Sequence, residues 1–148
     1  LQAPYGTGVF ICRKGLIENV LTKEAEYVEG MDLTLCGSRS GANAVAVWMI
    51  LFTYGPYAWY EKISILMMRT HFLTKELDAL GIEYYNCPFM NIVTIKAEFV
   101  PEKIAHKYGL VPQQHNENNK WYKIVLMDHV EVEHLTNFID EMKASKNG

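Results

Sequence analysis

Thr34-Leu35-Cys36-Gly37-Ser38-Arg39-Ser40-Gly41 runs directly into Ala42-Asn43-Ala44-Val45-Ala46-Val47-Trp48. This places two glycines, two hydroxyls and a guanidinium at the mouth of an apolar helix. The first turn of a helix carries backbone N–H groups with no partner inside the helix, and its dipole favours an anion. Ser38 and Ser40 add hydroxyl donors, and Arg39 adds a planar fork suited to phosphate or carboxylate. The same residues also read as a serine-capped helix after a glycine turn, with Arg39 on the surface. Both readings stand on these residues alone.

Working outward, helix and strand periods organise the rest. Gly41–Thr53 is apolar on nearly every side, the pattern of a helix buried between domains or subunits. Gly55-Pro56 breaks it. Tyr57–Leu80 predicts a second helix with Ile63, Leu66, Met67, Phe72, Leu73, Leu77 and Leu80 as its buried stripe and Gly81 as its C-cap. On the N-terminal side, Gly8–Cys12 predicts a strand, Leu16–Leu21 a short helix and 22–35 an acidic loop. On the C-terminal side, Ile82–Tyr85 and Ile92–Lys96 predict strands around a Cys87-Pro88-Phe89 turn. Pro101–Tyr108 predicts a helix, Leu110–Gln113 a strand, 115–120 a polar hairpin turn, Trp121–Met127 the clearest strand and Val132–Met142 the last helix. That order predicts an antiparallel sheet with helices on one face.

Composition limits the functions on offer. The 148 residues are 49% hydrophobic and 21% charged, and a net charge of -3 does not suit a nucleic-acid binder. No apolar run is long enough to span a bilayer. Cys12, Cys36 and Cys87 are odd in number and widely spaced, which fits reduced thiols in the cytoplasm. His71, His106, His115, His129 and His134 are scattered without metal-ligand spacing, so no metal is expected. His129 reads as a turn residue before the final helix.

The Gly37-Ser38-Arg39-Ser40-Gly41 run resembles the Gly-Ser-Arg-Asn-Gly or Gly-Thr-Arg-Ser-Gly segment of group II pyridoxal-phosphate (PLP) decarboxylases, which include histidine, serine and tyrosine/aspartate decarboxylases. Leu1-Gln2-Ala3-Pro4-Tyr5-Gly6-Thr7-Gly8-Val9-Phe10-Ile11-Cys12-Arg13-Lys14 resembles the strand after that family's cofactor lysine. Tyr27, ten positions before Gly37, resembles a tyrosine at the same spacing. Ile124-Val125-Leu126-Met127-Asp128-His129-Val130 resembles the family's last strand. The resemblance runs end to end and weakens between Tyr84 and Trp121.

The resemblance implies an α/β protein of PLP fold type I, of which this chain is the C-terminal portion. Residues 1–40 would end the large PLP-binding domain, 41–56 would form a bridging helix, and 57–148 a small α+β domain with an antiparallel sheet. The lysine that binds the cofactor would lie about two residues before Leu1, in the missing N-terminal portion of the same protein. The implied activity is loss of the α-carboxylate of an L-amino acid as carbon dioxide, in a homodimer. The implied roles are Tyr27 as proton donor, Ser38 and Gly37 at the cofactor phosphate, and Lys123 and Arg39 toward the substrate. Lys123 stands where several relatives have arginine and serine decarboxylase has histidine, so the substrate stays open. Packing of Tyr27 on a dimer surface, a cap at Ser38 and a structural salt bridge at Arg39 are the competing readings. The competing function is a non-catalytic assembly or dimerisation module derived from such an enzyme.

Overall fold

The computed structural model describes residues 3–20, 40–114 and 119–147. The chain divides into two units, Leu1–Pro56 and Tyr57–Gly148.

In the first unit, Ile17–Val20 forms one 3-10 turn inside the short helix expected there. The strand expected at Gly8–Cys12 carries no ladder. A strand needs a neighbour, and none of the described residues pairs with it. Helix α1, Gly41–Ala79, is interrupted at Gly55, whose φ of 63° and ψ of 179° leave the helical region. Positive φ suits glycine, and Pro56 has no N–H for the helical ladder and disfavours helical geometry at the residue before it. The expected break at Gly55-Pro56 is therefore present.

Before the break, the chain by itself leaves the apolar helix uncovered, as expected of a bridging helix taken without the rest of the protein and a partner. Val45, Trp48, Met49 and Phe52 are exposed, Phe52 by 75%. A helix apolar all round has no single stripe to bury. Trp48 and Phe52, one turn apart, stack at 5.2 Å between ring centroids.

The second unit begins with the rest of α1, where Thr70, Leu73, Thr74 and Leu77 are buried. Ile63, expected in the stripe, is exposed because it lies toward the other end of this stretch. The helix ends in a Schellman motif. Gly81, at φ 64°, donates to Asp78 O at 3.0 Å, and Ile82 N donates to Leu77 O at 3.0 Å. Leu77 and Ile82 are both in the core, so the cap also closes a hydrophobic contact.

Strands β1 (Tyr84–Asn86), β2 (Ile92–Lys96), β3 (Val111–Pro112) and β4 (Trp121–Val125) form a four-stranded antiparallel sheet in the order β1-β2-β4-β3. Helix α2, Glu102–Lys107, begins after Pro101, which takes the cap position with an extended ψ of 136°. It ends in a second Schellman motif at Gly109 (φ 61°), with Leu110 N donating to Ala105 O at 2.9 Å. Helix α3, Val132–Asn147, runs further than the expected Met142. Its entry carries one half of a capping box, with a histidine in the usual Glu or Gln place. Glu131 N donates to His134 Nδ1 at 3.2 Å.

The period-2 alternation sorts the sheet into two faces. Val93, Ile95 and Ile124 point inward with Leu126 beyond them, and pack with Leu73, Leu77, Ile104, Leu135, Phe138 and Ile139. Each such aliphatic side chain contributes about 1.5–3 kcal/mol by leaving water. All helices of this unit that contribute core residues are thus accounted for on the inner face, as the sequence implies.

Arg69 fixes the loop between β4 and α3. Its side chain is 14% exposed. Nη1 donates to Asp128 O and Val130 O, each at 3.0 Å, and Nη2 pairs with the Glu131 carboxylate. Lys62 Nζ adds a bond to Asp128 Oδ2 at 2.8 Å.

Candidate functional site

Tyr27, Gly37, Ser38 and Arg39 lie outside the described residues. Of the residues the sequence singles out for chemistry, Lys123 is described, and the mouth of α1 is described from Ser40 onward. Lys123 sits in the middle of β4, exposed on the outer face of the sheet.

The register makes Lys123 part of a row. Tyr85 lies opposite Thr94, Thr94 opposite Lys123, and Lys123 opposite Val111. Directly paired residues share a face, so these side chains form one band across the sheet. A shallow groove of about 700 Å³ follows the band, with Trp121 at one side and Glu83 at its end. The Glu83 carboxylate is taken by Lys96 at 2.7 Å. That contact, with a second to Glu98, holds the Lys96 pKa above the usual lysine range. Among the described residues no carboxylate lies within ion-pair distance of Lys123. The band therefore presents a cation between aromatic and aliphatic neighbours, an arrangement able to seat a carboxylate beside an apolar group.

At the mouth of α1, Ser40 is exposed and its carbonyl accepts from Asn43 N at 3.1 Å. No acidic residue stands in the first turn of α1. An open helix start without a competing carboxylate fits the phosphate of PLP, so the described residues suit one end of that cofactor.

Elsewhere, Tyr108 and Lys107 both contact the Glu141 carboxylate. Its pKa is held below the usual carboxylate range first by Lys107 and then by Tyr108. The Tyr108 hydroxyl is pushed up, by burial and then by that carboxylate. Cys12 and Cys87 are free thiols. Among the described residues no group of His, Cys, Asp and Glu is arranged to hold a metal, and no helix is long and apolar enough to cross a membrane.

Sequence reasoning misses the cap at His134. The available signal is its position, three residues after Glu131 and just before the apolar run of α3, which is capping-box spacing. It also misses that His129 and His134 come to one pocket with Lys123.

No protein-family model matches the chain. Over 97% of its length it is 56% identical to a tryptophan decarboxylase from Clostridium sporogenes, of which it covers 34%. It is 27% identical over 97% of its length to a probable L-tyrosine/L-aspartate decarboxylase from Methanococcus maripaludis, covering 38% of that protein. It is 29% identical over 96% of its length to an L-aspartate decarboxylase from Thermococcus kodakarensis, again covering 38%. The chain thus spans about a third of the length of the curated relatives it matches. Along nearly all of its own length it is similar to amino-acid decarboxylases.

Proposed function

We propose that this chain is the C-terminal portion of a PLP-dependent amino-acid decarboxylase, a carboxy-lyase acting on an aromatic L-amino acid, with L-tryptophan the first substrate to test. The observation that carries the proposal is the 56% identity to a tryptophan decarboxylase across 97% of the chain. Residues 1–40 then belong to the large domain, 41–56 bridge, and 57–148 form the small domain of a homodimer.

PLP, when bound, supplies the electron sink for cleavage of the bond between Cα and the carboxylate. Gly37 and Ser38 hold its phosphate by backbone N–H and hydroxyl donors. Arg39 steadies the loop or meets the substrate. The Tyr27 hydroxyl, a phenolic O–H donor, delivers a proton to Cα. Lys123 meets the substrate carboxylate as a point charge. That charge disappears as carbon dioxide forms, so Lys123 stabilises the bound amino acid more than the transition state.

The test uses the complete protein with PLP and L-tryptophan, L-tyrosine, L-phenylalanine, L-aspartate or L-serine, measuring carbon dioxide and the amine. Tryptamine from tryptophan is expected. Turnover of aspartate or serine alone overturns the substrate proposal, and carbon dioxide from none of these acids overturns the reaction. Lys123→Met is expected to raise KM for tryptophan about tenfold while kcat changes less. An equal fall in kcat with unchanged KM removes Lys123 from carboxylate binding.

A further inference from the structure

The pairing of β3 with β4 stops at Val111↔Lys123. Beyond it the chain leaves β4 through Leu110 and Gly109 into α2, so Ile124 and Val125 have no strand on that side. The notch is a pocket of about 380 Å³, roofed by the loop before α3. Its floor is apolar, with Leu110 and the buried Phe138. Its rim carries Lys123, His129 and His134, and no carboxylate lines it. The fourth basic residue, Lys107, is neutralised by Glu141. Lys123 also borders the outer-face groove, whereas His129 and His134 do not.

The capping geometry fixes what His134 offers. Its Nδ1 accepts the Glu131 N–H, so the ring proton of the neutral imidazole sits on Nε2. With Nδ1 so engaged, Nε2 is the donor that His134 offers. The nearest acid in sequence to His129, Asp128, is bound by Lys62.

We infer that this pocket binds a small amphipathic carboxylate, an aromatic or branched apolar group with one anionic end, at a subsite formed by His129, His134 and Lys123 over the floor of Leu110 and Phe138. The choice follows from charge complementarity: donors and cations crowd one rim, the floor is apolar, and the volume is that of a small-molecule site. The subsite shares Lys123 with the proposed substrate contact, whereas His129 and His134 belong to it alone, and the variants that test it are placed there.

The test is direct binding of 3-phenylpropionate to the complete protein by isothermal titration, with 3-phenylpropanamide as the neutral counterpart. The acid is expected to bind at least about tenfold more tightly than the amide. His134→Glu keeps an acceptor at the capping position and favours the helix dipole, so α3 stays capped while the rim is inverted. It is expected to weaken binding of the acid by at least about tenfold, with the urea midpoint unchanged. His129→Gln is expected to weaken binding and His129→Lys to restore it. Equal binding of acid and amide, no binding of either, or an acid affinity untouched by His134→Glu and His129→Gln each overturns the inference. Because binding is read without turnover, a protein that decarboxylates nothing can still pass, and an active decarboxylase can still fail.

Discussion

The two stretches of α1 differ in how their apolar residues are spent. Residues 41–54 are apolar on most sides, and Trp48, Met49 and Phe52 stand in water. Residues 57–79 mix charge with a narrow stripe, and Leu73 and Leu77 are fully buried. Hydrophobicity alone does not bring its own cover. A stripe at helical spacing specifies one partner surface, and the sheet of the same unit supplies it. A helix apolar all round requires cover on every side, and in the bridging role proposed here the rest of the complete protein would supply it.

The sharpest way to break this contrast is at Leu77. Leu77→Ala empties a fully buried site and should lower stability by about 2–5 kcal/mol, read as a fall in the urea midpoint at constant slope. A loss below about 1 kcal/mol would mean the stripe does not anchor the unit. Next comes Arg69, at the same stretch. Arg69→Ala leaves the Asp128 and Val130 carbonyls without their donor and should cost about 1–3 kcal/mol by the same measurement. In the 148-residue chain by itself, Phe52→Ser, in the first stretch, should change the midpoint by no more than about 0.5 kcal/mol, because the ring there is already in water. Its expected effect is on association, with less concentration-dependent self-assembly in sedimentation velocity. A large loss of stability would show that the first stretch is covered after all.

The smallest effect is electrostatic. The Asp128 pKa lies below the usual carboxylate range chiefly because Lys62 donates to it. A depressed folded-state pKa contributes stability that is present above the unfolded carboxylate value, near 4, and is lost as pH falls through the folded value. Lys62→Met should therefore flatten the acid limb of the stability curve slightly while leaving neutral pH little changed, since exposed pairs contribute little. A steeper acid limb in the variant would reverse the assignment.

Much of the second unit was legible because its signals are local. β2 runs over the residues its alternation marks, Gly81 caps the helix it follows, and helices cover one face of an antiparallel sheet. Strand ends were less legible: β1 begins at Tyr84 instead of Ile82, since Ile82 is held in the helix cap. Gly8–Cys12 has β-type residues, but a strand exists only when paired, and pairing is not a local property. The site was legible in chemistry more than in place. Lys123 falls on an exposed face because of its parity in β4, which the alternation carries. The meeting of His129, His134 and Lys123 depends on the fold of the 127–131 loop, which no spacing in the sequence announces.

That loop is held in an unusual manner for one so polar. Arg69 grips the main-chain oxygens of positions 128 and 130, atoms that every amino acid possesses. Side-chain changes at these two positions therefore leave the gripped oxygens in place, and their cost comes from what the side chains themselves hold, the Lys62 pair at Asp128 and the core contact of Val130. Inserting or deleting a single residue there would pull both oxygens out of reach at once, so tolerance of substitution and intolerance of length change should coexist in the same few residues.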